Sequence, residues 1–117
     1  MPSFAVEFSP ESVRDLDDIF DHLIGTYGGF GESEDEALVR AAARVVRIRN
    51  AGLALGKQPH QGTLEPKLMT NLRHVTKDRA IFYFTVDDDK KLVRVLAVFF
   101  GGQDHQRAML KRLMGES

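Results

Sequence analysis

The chain has 117 residues, of which 43% are hydrophobic and 28% charged, and its formal net charge is −1. This length predicts a single domain over residues 1–117. The absence of cysteine excludes disulfide frameworks, thiolate metal sites and cysteine nucleophiles. The first residues lack the basic segment and apolar run of a signal peptide, and no apolar stretch is long enough to cross a bilayer. We therefore expect a soluble, cytoplasmic protein.

Charge is distributed unevenly along the chain. Residues 1–36 contain one Arg and ten acidic residues, a net of −9, whereas residues 37–117 contain fifteen Lys or Arg and seven acidic residues, a net of +8. Such asymmetry indicates either a face built for a charged partner or a first helix with an acidic, solvent-facing side.

The beginning of the chain predicts a strand and then a helix. Residues 3–8 alternate well enough for a short strand. Ser9, Pro10 and Glu11 then supply the N-cap, the first-turn proline and the acid with which helices typically begin. The apolar residues of this helix share one face: Val13, Leu16, Ile19, Phe20, Leu23, Ile24 and Tyr27.

A second helix follows a glycine-rich loop at residues 28–31, and Ser33 to Glu36 reads as its capping box. Its predicted apolar stripe is narrow and rich in small residues: Leu38, Ala41, Ala42, Val45, Ile48 and Leu55. Arg40, Arg44 and Arg47 line another side. Two helices joined by a short loop predict an antiparallel hairpin, in which the acidic side of the first helix could pair with these arginines.

The second half of the chain predicts three strands and a short helix. The strands cover residues 69–75, 80–86 and 92–100, and the middle one is apolar throughout, as expected of a strand covered on both faces. Asp104 is the predicted cap of a last helix, with Met109, Leu110 and Leu113 on its apolar side. The predicted fold class is α+β: an N-terminal strand, a helical hairpin packed on a small, mainly antiparallel sheet, and a short C-terminal helix.

Common cofactor motifs are missing from the sequence. The four histidines do not have metal-ligand spacing, and the glycine-rich loop lacks the preceding strand and the lysine of a phosphate-binding loop. Asp87 to Asp89 lack the spaced ligands of a calcium loop and predict a solvated hairpin turn. We expect neither a cofactor nor a metal.

The order of short motifs resembles the RelE/ParE toxins of type II toxin–antitoxin systems. In the second half these motifs are Leu72-Arg73, the Phe82-Tyr83-Phe84 strand and Val93-Arg94-Val95-Leu96. In the first half, Phe8-Ser9-Pro10-Glu11 leads into the first helix as in that family. The resemblance implies the predicted fold and a cognate antitoxin that binds the toxin tightly and neutralises it. It also implies contact with operator DNA only through the antitoxin, a role in plasmid stabilisation, and no membrane partner.

The resemblance leaves the activity open between three alternatives. RelE-type members cut messenger RNA on the ribosome, but the family's arginine after the last strand falls here on Gly102 or Gln103, and its C-terminal tyrosine falls near Met109. ParE-type members inhibit DNA gyrase by contact and need no catalytic residues. These departures and the near-neutral net charge favour ParE, because ribosome binding depends strongly on positive charge. A non-toxic, antitoxin-binding co-repressor is the third alternative.

Four residues are the predicted catalytic groups if the chain is a ribonuclease. By resemblance, Arg79 would stabilise the scissile phosphate, and His74 and Asp78 match positions used by another ribonuclease branch of the superfamily. His105 could supply a second imidazole, and two imidazoles form a workable acid–base pair near neutral pH. The competing interpretation is that both histidines are ordinary strand and helix residues. Four further residues are predicted antitoxin contacts, although Phe100 and the methionines could equally be core: Arg73, Phe100, Met109 and Met114.

Overall fold

The computed structural model describes residues 3–101 and 104–115, so Gly102 and Gln103 lie outside the described residues. Its elements, in chain order, are β1 (Ala5–Phe8), α1 (Pro10–Gly28), α2 (Glu34–Leu53), a 3-10 turn (Ala54–Lys57), β2 (Thr63–Leu64), β3 (Leu72–Lys77), β4 (Ala80–Asp87), β5 (Leu92–Phe100) and α3 (His105–Leu113). Within these described residues, no helix combines the length and the apolar character needed to span a membrane.

The five strands form one mixed sheet in the order β1-β5-β4-β3-β2. β1 runs parallel to β5, and the other pairs are antiparallel. The predicted α+β fold class and the bounds of β5 are confirmed. The predicted first strand of the meander is shifted, because it begins at Leu72 and ends at Lys77, and the two-residue β2 was not predicted.

Both long helices begin where their capping residues predict. The Ser9 hydroxyl accepts from the Ser12 backbone N–H at 3.1 Å, with Pro10 in the first turn, and the Ser33 hydroxyl accepts from the Glu36 N–H at 3.2 Å. Each cap satisfies a backbone donor that the first helical turn leaves without a partner. The helical hairpin that follows packs on one face of the sheet, with α1 against β5.

Strand alternation builds a separate core on each face of the sheet. Phe82 and Phe84 face the helical hairpin and join the larger core with Leu16, Ile48 and Val95. On the other face, α3 covers a smaller core, whose buried members are Leu72, Tyr83, Ala97, Phe99 and Met109. β4 is therefore covered on both faces, as its continuous apolar sequence predicts.

The buried side of α2 differs from the predicted stripe. Leu38 is 38% exposed and Ala42 is exposed, whereas Ala37 and Ala41 are buried. The reason is a close approach further along the helix: a Cβ at Gly52 would lie 2.6 Å from Phe8 Cζ. This contact rotates the small residues of α2 toward the core. Two smaller corrections are that Val13 of α1 is 47% exposed and that Leu55 belongs to the 3-10 turn.

The arginine row of α2 does not pair with the acidic side of α1 within the described residues. Arg40 forms an ion pair with Glu32 in the interhelical loop, and Arg44 donates to the backbone oxygen of Asp78 at 2.7 Å. The expected charge pairing across the hairpin is therefore wrong, because these arginines extend past α1 toward the loop and the β3–β4 turn.

The start of α1 covers the edge of β5 that β1 leaves open. The Ser9 N–H donates to Val95 O at 2.9 Å, and the Asp15 carboxylate accepts from the Val98 N–H at 2.9 Å. The same carboxylate accepts two bonds from Arg112 of α3, at 2.6 and 2.8 Å. Asp15 therefore replaces a missing strand partner and anchors α3 at the same time. The hydrogen bond to Asp15 is also the main reason that the pKa of Arg112 is raised.

Candidate functional site

The β3–β4 turn determines which side chains meet across the hairpin. Lys77 pairs with Ala80, so only Asp78 and Arg79 form the loop, and both have positive φ, 52° and 63°. Two consecutive positive φ values are the geometry of the tight turns that keep antiparallel strands in register. This register places His74 directly opposite Tyr83. The two rings lie with their centroids 5.3 Å apart on the face that α3 covers.

The first residue of α3 adds a second imidazole to this pair. Asp104 caps the helix by accepting from the Arg107 N–H at 3.2 Å, which places His105 in the first turn. The Tyr83 hydroxyl lies 2.8 Å from His105 Nδ1, and the His74 and His105 ring centroids are 5.3 Å apart. Met109, one turn further along α3, is fully buried and holds the helix on the sheet.

A carboxylate completes the cluster from the segment between β2 and β3. The Glu65 N–H donates to Leu72 O at 2.8 Å, which fixes this segment beside the start of β3. Glu65 Oε1 lies 3.1 Å from His74 Nδ1 and also accepts from Gln106 Nε2 at 3.2 Å. The His74 contact lacks hydrogen-bond geometry, and this buried nitrogen has no other partner among the described residues. We call His74, His105, Tyr83 and Glu65 the histidine cluster.

Burial shifts the pKa values of two members of the histidine cluster, His74 and Tyr83. It lowers the pKa of His74, the Glu65 carboxylate opposes this effect, and His105 adds to it. Burial also raises the pKa of Tyr83 to about 12, and the negative charges of Glu65 and Asp104 act in the same direction. Tyr83 therefore keeps its proton at neutral pH and can donate it to Nδ1 of a neutral His105.

The cluster can in principle move protons between two imidazoles. A neutral imidazole accepts a proton and a protonated one donates it, so two of them within about 6 Å can serve as a base and an acid. The side chains of His74 and Glu65 are 18% and 16% exposed, which leaves a narrow opening to solvent. Within residues 3–101 and 104–115, no three His, Asp or Glu side chains are grouped closely enough to hold a metal ion.

The other two predicted catalytic residues lie elsewhere. Asp78 is four residues beyond His74 along an extended strand, which separates them by roughly 13 Å. Asp78 and Arg79 occupy the β3–β4 turn, and Arg79 lines a cavity beside the helical hairpin. The structure therefore brings His74 and His105 together but does not bring Asp78 or Arg79 to them. An i, i+4 spacing joins side chains in a helix, whereas here it runs along a strand.

The predicted partner contacts fall into three environments. Arg73 is partly buried and donates to His60 O at 2.9 Å, and Phe100 packs partly against the larger core, with its ring edge to His22. Met109 is fully buried, so its interpretation as a surface contact is corrected to a core residue. Met114 is 66% exposed and remains available to a partner.

Sequence reasoning missed Tyr83 and Glu65. Tyr83 could have been found from the sequence, because a two-residue turn at Asp78 and Arg79 sets the strand register that pairs Tyr83 with His74. Glu65 could not have been found in this way, because it follows a strand of only two residues, which is too short to be recognised in the sequence.

Comparison with solved structures identifies the fold. No protein-family profile and no curated protein sequence matches the chain. A chain of the chromosomal ParDE TA system from P. aeruginosa is similar, with a TM-score of 0.65, 19% identity, and coverage of 86% of this chain and 98% of that one. A chain of the toxin–antitoxin complex RelBE2 from Mycobacterium tuberculosis has a TM-score of 0.58 and 12% identity, and the match covers 86% of this chain and all of that one. The chain therefore has a RelE/ParE-like fold.

Proposed function

We propose that this chain is a single-domain toxin of a type II toxin–antitoxin module and that a cognate antitoxin neutralises it by tight binding. The observation that carries the proposal is the structural match, which extends over 98% of a chain from a ParDE system with a TM-score of 0.65. The apolar side chain of Met114 and the partly exposed Arg73 and Phe100 are the proposed antitoxin contacts.

Inhibition of DNA gyrase, as in ParE-type toxins, is the favoured activity. The ParDE match has the higher TM-score and identity of the two structural neighbours. The sequence also lacks the RelE-type arginine and tyrosine at their expected positions, Gly102 or Gln103 and Met109. A toxin that acts by contact with its target needs no catalytic residues, so these departures do not count against it.

A ribosome-dependent messenger RNA endoribonuclease is the second candidate, and the histidine cluster is the observation that favours it. His74 and His105 lie close enough to act as a base for the ribose 2′-hydroxyl and an acid for the leaving oxygen. The lowered pKa of His74 keeps this imidazole neutral near pH 7, which suits a base. Arg79 would have to act from a different part of the surface, which weakens this candidate.

Expression of the chain alone in a bacterial host tests the proposed function. Growth arrest that is relieved by co-expression of the neighbouring small gene is the expected result, and undisturbed growth would contradict the toxin assignment. Induction of the DNA-damage response while protein synthesis continues supports gyrase inhibition. Immediate loss of translation with cleaved messages supports the ribonuclease instead.

The double substitution His74→Ala and His105→Ala separates the two activities. It should abolish toxicity if the histidine cluster is catalytic and leave it intact if the chain inhibits gyrase by contact. His60→Ala is the matched control, because the His60 side chain is 54% exposed and lies outside the cluster. Antitoxin binding by the double variant shows that it is folded.

A further inference from the structure

A cavity of about 670 Å³ lies beside the helical hairpin, away from the face that carries the histidine cluster. Four arginines from two distant parts of the sequence line it: Arg40, Arg44 and Arg47 of α2, and Arg79 of the β3–β4 turn. Tyr27 and Phe100 contribute aromatic rings to the same wall. We call this cavity the arginine pocket.

The charge of the arginine pocket has one sign. None of its lining residues is acidic, although the neighbouring α1 belongs to the segment with a net charge of −9. The acidic residues of α1 thus lie on other sides of that helix. Glu32, beside the pocket, offsets the charge of Arg40, whereas Arg44, Arg47 and Arg79 form no ion pair among the described residues. The repulsion between these three charges destabilises the free protein slightly and favours a bound anion.

Two of the four arginines are fixed by the protein. Arg40 pairs with Glu32 and lies over the Tyr27 ring, with its Cζ 4.2 Å from the centroid. Arg44 donates to Asp78 O at 2.7 Å, and its Cζ lies 5.7 Å from the Phe100 centroid. These contacts orient both guanidinium groups before any ligand arrives, which reduces the entropy lost on binding.

The guanidinium N–H groups of the other two arginines, Arg47 and Arg79, are available to a ligand. Among the residues that the structure describes, Arg47 and Arg79 form no ion pair and donate no side-chain hydrogen bond. Arg79 also has φ of 63°, in a turn position where glycine or asparagine is usually found. A long side chain in this conformation costs folding energy, which is typical of residues retained for binding.

We propose that the arginine pocket binds the phosphodiester backbone of a single-stranded nucleic acid. Guanidinium groups match phosphate oxygens with two parallel hydrogen bonds, and the three arginines without an ion pair, Arg44, Arg47 and Arg79, can each neutralise one phosphate. The aromatic wall favours a nucleic acid over an acidic peptide, because single strands are held by charge and by contact of bases with aromatic rings together. This inference does not depend on which target the toxin inhibits.

Fluorescence anisotropy with labelled 12-mers tests the proposal on the purified chain. One probe is dT12 and the other is a 2′-O-methyl uridine 12-mer, neither of which offers a 2′-hydroxyl for cleavage. Affinity should fall with salt at a logarithmic slope of about −2, since each of three phosphate contacts to a single strand contributes about −0.7. Tighter binding of one probe assigns the site to DNA or to RNA, and binding of neither overturns the proposal.

Paired variants locate the binding site. Arg47→Gln with Arg79→Asn should reduce the salt slope to about −0.7, because Arg44 then supplies the one remaining contact, and should weaken binding at least tenfold at low salt. Asparagine tolerates the left-handed conformation at residue 79, so the turn is kept. Arg49→Gln is the matched control for the single variant Arg47→Gln, because Arg49 lies exposed on the same helix, carries the same charge and does not line the pocket.

Two outcomes would contradict the inference. If Arg49→Gln weakens binding as much as Arg47→Gln does, the attraction is general surface charge and no pocket is involved. If poly-glutamate binds as tightly as the oligonucleotides at the same salt concentration, the pocket is a site for an acidic peptide. Unchanged thermal unfolding of all the variants shows that the comparison concerns folded protein.

Discussion

The two faces of the sheet are covered by very different amounts of protein. α1 and α2, of 19 and 20 residues, pack on one face, whereas α3, of 9 residues, is the helix on the other. The hairpin face buries a continuous apolar core, while the α3 face mixes a few apolar residues with the titratable histidine cluster. The first face makes the fold stable, and the second leaves groups that can exchange protons close to solvent.

This difference has an energetic basis. The hairpin face holds the larger of the two cores, and burial of apolar area is the dominant favourable contribution to folding. The α3 face is held by few contacts, mainly the buried Met109 and the Asp15–Arg112 ion pair. Elements with few contacts open locally at lower free energy than the whole domain. We therefore expect α3 to detach before the helical hairpin unfolds.

Phe82→Ala should have the largest effect on stability. Phe82 is fully buried against the helical hairpin, and truncation of such a ring leaves a cavity and costs about 3–5 kcal/mol. Urea denaturation followed by circular dichroism measures this loss. Val46→Ala, at a position that is 50% exposed, should change stability by less than about 0.5 kcal/mol. Similar losses for both variants would contradict the core assignment.

Met109→Ala should cost less and act mainly on the α3 face. Removal of this fully buried side chain predicts a loss of about 2–3 kcal/mol, concentrated in detachment of α3. Hydrogen exchange should speed up in α3 more than in α1. Met114→Ala is the control at the C-cap of the same helix, since Met114 is 66% exposed. Equal exchange rates in the two variants would show that Met109 does not anchor α3.

Asp15→Asn should destabilise the domain by about 1–3 kcal/mol, because it leaves Arg112 without its anionic partner at a partly buried site. Asp17→Asn, an exposed acid on the same helix, is expected to have little effect. A double-mutant cycle with Arg112→Gln isolates the coupling between the two charges. A coupling near zero would show that Asp15 acts only through the Val98 N–H.

Local signals in the sequence predicted where the helices begin better than they predicted which side of each helix is buried. Ser9 and Ser33 cap the two long helices as expected, because capping depends only on nearby residues. The buried side of α2 was misjudged, because it is set by the contact of Gly52 with Phe8, far away in sequence. Periodicity identifies an amphipathic helix, but it does not show where a second element comes close enough to exclude a Cβ.

The candidate sites were predictable in a similar, partial way. His74 and His105 were identified as residue types suited to acid–base chemistry, but their meeting depends on how α3 docks. Arg79 was predicted to serve with them, and the turn carries it instead to the arginines of α2. Residues on one strand separate with every step along it, whereas residues from distant elements are joined only by tertiary packing.

The smallest expected effect is a pH dependence of the free energy of unfolding, which arises from His74 on the α3 face. The pKa of His74 is lowered in the fold, so below about pH 6.5 the unfolded chain binds a proton more readily than the folded one. The free energy of unfolding should therefore fall between pH 7.5 and 5.5, and His74→Gln should reduce this dependence. If stability rises on acidification, the favourable interaction of a protonated His74 with Glu65 exceeds the cost of burying its charge. The α3 face would then be held by an ion pair that forms only in acid.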